Sequence, residues 1–295
     1  MSRESNGSRE HYRVTVADQE ARQRARRPRP AKLALLPSLR AVVEEKLALS
    51  WSPEQISGWL RRCFPGEAAM QISHEAICLS LYDPRLRQAI NRKLTQRLRT
   101  GRPIRQPRAA RRPLGRGIIR DMVSTSRRPA EVEDRTVPGH WEGDLVMGSR
   151  PSAIATLVER TSRFTAVIAL PDGIKAEQVT PHLTRHLLGI PAQVRRTLTW
   201  DRGREMAEHR TITATTGMPV YPRKPRSPWQ SGTNENTNRL LRQYLPKNAD
   251  LRKYSQEDLD FVGAELNSRP RKIHGYRTPS EVCSELRKSG DALIV

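Results

Sequence analysis

Residues 92–128 carry thirteen Lys and Arg side chains against a single acid, Asp121, and are interrupted by Pro103, Pro107, Pro113 and three glycines. Prolines at that density remove backbone donors and break helices, and so many cations without counter-charge cannot enter an apolar core. The stretch therefore reads as an extended basic linker that divides the chain into two foldable parts. A solvated tether and an arm that tracks phosphates are both compatible with it, and the missing counter-charge favours contact with nucleic acid.

The same imbalance runs through the whole chain. Its 295 residues hold 53 Lys and Arg against 31 Asp and Glu, a net charge of +22, which points to a polyanionic partner. Membrane insertion is excluded: the best apolar run, Phe164 to Leu170, is far shorter than the ~20 residues a spanning helix needs. The N-terminus is polar and has no apolar secretory segment. Three scattered cysteines (Cys63, Cys78, Cys283) make no disulfide framework, which suits a reducing cytoplasm.

Residues 1–34 form a basic polar arm with nothing to bury. Over 35–90 the pattern turns helical, with Leu39, Val42, Val43 and Leu47 on one face and Lys46 expected outward. Ser52, Pro53 and Gln55 spell an N-cap, a first-turn proline and a capping box, and Ser73 opens another helix. Three short helices of this size suit a helix-turn-helix DNA reader. The linker occupies 91–129. Beyond it, the runs starting at His140, Ala153 and Phe164 read as three consecutive antiparallel strands. A helix over 176–188 follows, then a short strand ending at Asp201, a helix at 204–215 and a short strand near 219–221. Two further helices are expected at 234–244 and 256–267. The region 130–285 is thus a mixed α/β domain, and 286–295 is a tail.

Most catalytic templates fail. There is no Gly-x-x-x-x-Gly-Lys-Ser/Thr loop and no Gly-x-Ser-x-Gly elbow. Cys63, His74 and Cys78 lack zinc spacing and read as ordinary helical residues. Three carboxylates stand out: Asp144 interrupts an apolar strand, Asp201 ends another, and Glu235 lies in the first turn of a helix. Each alone is explained as a cap or turn residue, but strand, strand and helix of one domain beside a basic chain favour a site for hard divalent cations. Glu142 competes for the assignment, because positions 142 and 144 share a strand face.

The segments around these acids, 128–135, 139–146, 157–163 and 197–201, carry a resemblance, and so do 227–238, 240–247 and 266–272. In them the chain resembles the insertion-sequence transposases of the IS-thirty family. Asp201 and Glu235 have 33 residues between them, as that family's pattern has. The resemblance spans roughly residues 10–285, and the segment 51–60 resembles the family's linker-side helix-turn-helix. It departs from the family where Arg202 follows Asp201, in the loop 221–227, and at the N-terminus. There, residues 1–6 resemble the tail of the family's first helix-turn-helix, so that motif is expected to be missing.

The resemblance implies an RNase H-like fold, a mixed five-stranded sheet with flanking helices, preceded by the all-α region. It implies an Asp-Asp-Glu triad of Asp144, Asp201 and Glu235 holding two Mg²⁺ or Mn²⁺ ions. The implied activity is cutting of element ends and joining of the freed 3′-hydroxyl to target DNA, in the cytoplasm at the nucleoid, by an oligomer. Helical spacing places Asn238, Arg239 and Arg242 on the face of Glu235, where they are expected to meet DNA. The preceding Trp229 and Gln230 are candidates to stack on or position a base. In the linker, Arg97, Arg99, Arg102, Arg105, Arg108, Arg111 and Arg112 are the expected phosphate contacts. The rival expectation is a truncated DNA-binding protein that modulates an intact transposase.

Overall fold

The computed structural model describes Gln19 and residues 31–83, 90–99, 137–149, 151–201, 203–223 and 232–291. Arg102, Arg105, Arg108, Arg111, Arg112, Arg202, Trp229 and Gln230 lie outside these residues, as do most of the arm and linker.

The N-terminal region packs α1 (Pro37–Ala48), α2 (Pro53–Cys63) and α3 (His74–Tyr82) around one apolar cluster. α2 begins as its sequence dictates: Ser52 Oγ accepts from the Gln55 amide at 3.3 Å, and the Ser52 amide donates to Gln55 Oε1 at 2.8 Å. Ser73 caps α3 in the same way, accepting from the Ala76 amide at 3.1 Å. The cluster reaches from Leu33 to Ile90, with Leu94 and Leu98 packed against it, so the folded unit overruns the expected 35–90 at both ends. Lys46 corrects the helical reading. It does not point outward: its ammonium lies over the rings of Trp51 and Trp59, 5.5 and 5.1 Å from their centroids, and pairs with Glu45 at 2.7 Å, because a cation is attracted to aromatic faces. Residues 64–73 join α2 to α3, a longer connection than the three- or four-residue turn of a tight helix-turn-helix.

The second region is a five-stranded sheet in the order β3-β2-β1-β4-β5. β1 (His140–Met147), β2 (Ala153–Glu159) and β3 (Thr165–Ala169) form an antiparallel meander. β4 (Thr197–Trp200) and β5 (Val220–Pro222) add in parallel to the other side of β1. Helices cover both faces. α4 (Ala176–Leu188) and α5 (His209–Thr216) pack on the face that carries Trp141, Ala155, Leu157 and Leu198. α6 (Gly232–Leu241) and α7 (Gln256–Asn267) pack on the opposite face with Val146, Ile154 and Val167. β2, buried along its whole length, carries apolar side chains on both faces for that reason, with Thr156 and Glu159 as its buried polar residues. α6 starts two residues before the expected Asn234 and ends at Leu241 rather than Tyr244. The helix expected at 204–215 is split into a turn at Arg204–Met206 and α5.

The last helix among the described residues is α8 (Pro279–Asp291), which crosses the boundary expected between domain and tail. Its start is a capping box: the Thr278 amide donates to Glu281, and Thr278 Oγ1 accepts from the Glu281 amide at 3.1 Å. The helical region docks on the segment that leads into α8. Gln55 donates to the Pro270 carbonyl at 2.9 Å, Lys272 pairs with Glu54 at 2.8 Å, and Arg62 pairs with Glu281 at 2.6 Å. Gly58 is needed there, since a Cβ would stand 2.2 Å from the ring of Tyr276. Among the described residues no helix is long and apolar enough to cross a membrane.

Candidate active site

Strand register brings the acids together. The parallel pairing of β1 with β4 sets His140 opposite Thr197 and Glu142 opposite Thr199. Extending that register by two residues sets Asp201 level with Asp144. β5 continues the pattern: Trp200 lies opposite Pro222, which brings Arg223 to the level of Asp201. The Arg223 amide donates to the Trp200 carbonyl at 2.9 Å and its guanidinium to the Gly143 carbonyl at 3.1 Å. The site therefore lies where the parallel strands end, the usual place for ligands in sheets of this kind.

Asp144 sits on the α6 face of β1, opposite Thr156 of β2. Its carboxylate accepts from the Leu145 amide at 3.0 Å and from Asn238 Nδ2 at 2.9 Å. Burial pushes this carboxyl above its usual range and Asp201 adds to the shift, while Arg223 and the two hydrogen bonds pull against it. Asp144 is thus a half-buried carboxylate facing a second carboxylate.

Gly143 makes the strand possible. A Cβ at this position would stand 2.0 Å from the Trp200 ring, so the indole of β4 lies across bare backbone on the face away from Asp144. Glu142, on the same face as Asp144, is a different kind of acid. It is fully buried and ion-paired with Arg160, itself 4% exposed. His140, buried at the start of β1, bonds Thr197 Oγ1 through Nδ1 at 2.8 Å.

α6 brings the third carboxylate. Asn234, Thr237, Leu240 and Leu241 face the sheet, and Glu235 and Arg239 are exposed. The Glu235 carboxylate pairs with Arg239, one turn further along. Among the described residues no three His, Cys, Asp or Glu side chains sit close enough to hold one metal ion. Asp144 and Asp201 are together, whereas the Glu235 carboxylate is engaged by Arg239.

The remaining expected contact residues divide. Asn238 serves Asp144 directly, and Arg242 is tied to the Met147 carbonyl at 2.6 Å. Arg97 and Arg99 are exposed beside α6, where Gln243 donates to the Arg97 carbonyl at 3.1 Å. Sequence reasoning missed Arg223 and Arg160. Neither carries a local signal, because one is placed by the β4–β5 pairing and the other by the partner it neutralises.

A five-stranded sheet of this order with helices on both faces fits the integrase class of catalytic cores. The family model for the integrase core domain matches residues 134–228, which take in Asp144 and Asp201. The chain is 45% identical over 279 residues to the transposase InsI for insertion sequence element IS30A of Escherichia coli K12, covering 94% of this chain and 72% of that protein. It is 46% identical over 266 residues to the transposase for insertion sequence element IS1086 of Cupriavidus metallidurans, 90% of this chain and 78% of the relative. The transposase for insertion sequence element IS4351 of Bacteroides fragilis is 31% identical over 273 residues, 92% of this chain and 80% of its own length. The chain belongs to the IS30 family of insertion-sequence transposases.

Proposed function

We propose that this transposase cuts insertion-sequence ends and joins them to target DNA at a site built from Asp144, Asp201 and Glu235. The observation that carries this reading is the pair of facing acids at the parallel strand ends: burial and Asp201 raise the Asp144 carboxyl, and its direct hydrogen bonds come from neutral donors. Oxygen donors facing each other in this way suit Mg²⁺ or Mn²⁺. Two such ions, when bound, would activate the attacking oxygen and stabilise the leaving one.

The protein's own groups do the positioning. Asn238 holds the Asp144 carboxylate by its Oδ2, and the Leu145 amide holds Oδ1, among the described residues. Arg223 offsets part of the acidic charge. Glu235 must leave Arg239 to join the other two acids, and Arg239 is then free to meet a phosphate. In the first reaction a water oxygen bonds to phosphorus as the 3′-oxygen of the element's end leaves. In the second, that 3′-hydroxyl gives up its proton and bonds to a target phosphorus, whose own 3′-oxygen leaves. Two ends must be held for joining, so the working form is an oligomer, and the helical region with the basic linker supplies the DNA grip.

Asp144→Asn, Asp201→Asn and Glu235→Gln should each reduce Mg²⁺-dependent cleavage of end-containing DNA by roughly a thousandfold or more, with DNA binding retained in a gel shift. Full cleavage by any variant removes that residue from the triad.

A further inference from the structure

Behind α6, away from the acids, the helix borders a second polar site. A cavity of about 430 Å³ is lined by Arg163, Thr233, Asn236, Arg271 and Lys272. A neighbouring one of about 220 Å³ shares Asn236, Arg271 and Lys272 and adds Arg99 and Arg269 from either side. Together they make one groove between α6, the residues that lead to α8, and the docked end of α2.

The groove is overloaded with positive charge. Among the described residues Lys272 pairs with Glu54, and Arg163 donates to Thr233 Oγ1. Arg269, 1% exposed, bonds only neutral acceptors, Gln243 Oε1 at 2.7 Å and the Tyr244 hydroxyl. Arg271 donates to the Leu266 carbonyl at 3.2 Å. The Nε atoms of Arg269 and Arg271 have no hydrogen-bond partner among the described residues. Burial, helped by Arg269, Arg163 and Arg99, pulls the Arg271 guanidinium down to about 10. Arg163 reaches the groove from a positive φ of 63°, a backbone cost borne to bring its guanidinium to Thr233.

Crowded, half-desolvated guanidiniums are costly unless an anion completes them. Their planar donors match the oxygens of a phosphate better than any neutral ligand. We propose that this groove binds a backbone phosphate of the DNA strand that passes α6, on the side of the helix opposite the catalytic acids. The inference rests on the DNA-joining function proposed above. It adds a site of its own: the helix that carries Glu235 would also be clamped to the DNA backbone through the face that carries Thr233 and Asn236, next to the docked helical region.

Asn236 gives the test, because it is exposed, lines both cavities and makes no bond to the acids. Asn236→Asp places a carboxylate among the arginines. The full-length variant should melt at a higher temperature than wild type, because the acid completes the cluster. Without divalent metal it should bind end-containing DNA about tenfold more weakly, and its dependence of log K on log salt should lessen by about 1. Millimolar inorganic phosphate should raise the melting temperature of wild type and not of the variant. Arg271→Gln, checked for folding by circular dichroism, should show the same loss of affinity and salt slope.

Unchanged affinity and slope in both variants would overturn the phosphate site, even if inorganic phosphate still stabilises the wild type. A lower melting temperature for Asn236→Asp would overturn the claim that Arg269 and Arg271 are left short of negative charge. Failure of wild type to bind or cut the DNA is a separate outcome: it sinks the proposed function and leaves these two variants behaving alike.

Discussion

Glu142 and Asp144 lie two residues apart on the same face of β1, yet they are opposite kinds of acid. Glu142 is sealed in the core with Arg160 as its own counter-ion. Asp144 has neutral donors on its oxygens, with Arg223 attracting it and Asp201 repelling it. A carboxylate used for structure brings its cation with it, because an isolated buried charge is expensive. Asp144, which we propose for the chemistry, has no such ion pair of its own among the described residues, only the nearby charge of Arg223. The two sides of α6 repeat the lesson with the signs reversed, acids on one side and arginines on the other.

The largest expected effect separates the two acids by stability. Glu142→Gln should destabilise the fold by about 3–5 kcal/mol, since it leaves Arg160 buried without its charge partner. Asp144→Asn should not destabilise it. Denaturant unfolding of both variants checks this, and equal losses would break the distinction. The pH dependence has a definite sign. The folded Asp144 carboxyl lies above the ordinary value of 3.8, so the native state holds its proton over a window where the unfolded state has released it. Its contribution to stability therefore falls as pH rises through that window, and Asp144→Asn should remove this slope.

A smaller effect is expected between the two acids, at Gly143. Gly143→Ala would drive a methyl into the Trp200 ring and should cost about 1–3 kcal/mol. It should also lower cleavage, because β1 and β4 carry Asp144 and Asp201. Loss of stability without loss of rate would mean that the spacing of those strands does not set the site.

The smallest effect concerns the hydrogen bond from α6. Asn238→Ala should slow cleavage by roughly tenfold and move the acid limb of the pH–rate profile upward, because the bond that favours ionised Asp144 is gone. A rate loss with an unmoved acid limb would assign Asn238 to DNA contact instead.

Much of the local structure was legible. The Ser52–Gln55 box and the bounds of α4 and α7 could be read because caps and helical periodicity act over a few residues. α8 was missed although Thr278, Pro279 and Glu281 spell its start. Lys46 was misread because pattern alone assigns a cation to water, whereas the two tryptophans that hold it come from the next helix and its approach. In the site, Asp144 was conspicuous as an acid in an apolar strand, but sequence could not sort it from Glu142. That distinction depends on Arg160, eighteen residues away in sequence and a neighbour only because β2 returns beside β1.

By itself the sequence determined the basic character of the chain, the helical and strand-rich halves, and the short set of acids from which a site could be built. Those are consequences of composition and short-range periodicity. Tertiary structure decided the order of the sheet, and with it everything about charge pairing. Parallel addition of β4 and β5 set Asp201 and Arg223 beside Asp144, and packing of α6 turned Asn238 toward the acids and Asn236 toward the arginines. Whether a charge is neutralised at home or left for a ligand is a property of neighbours in space, which strand register and helix rotation fix only when the chain has folded.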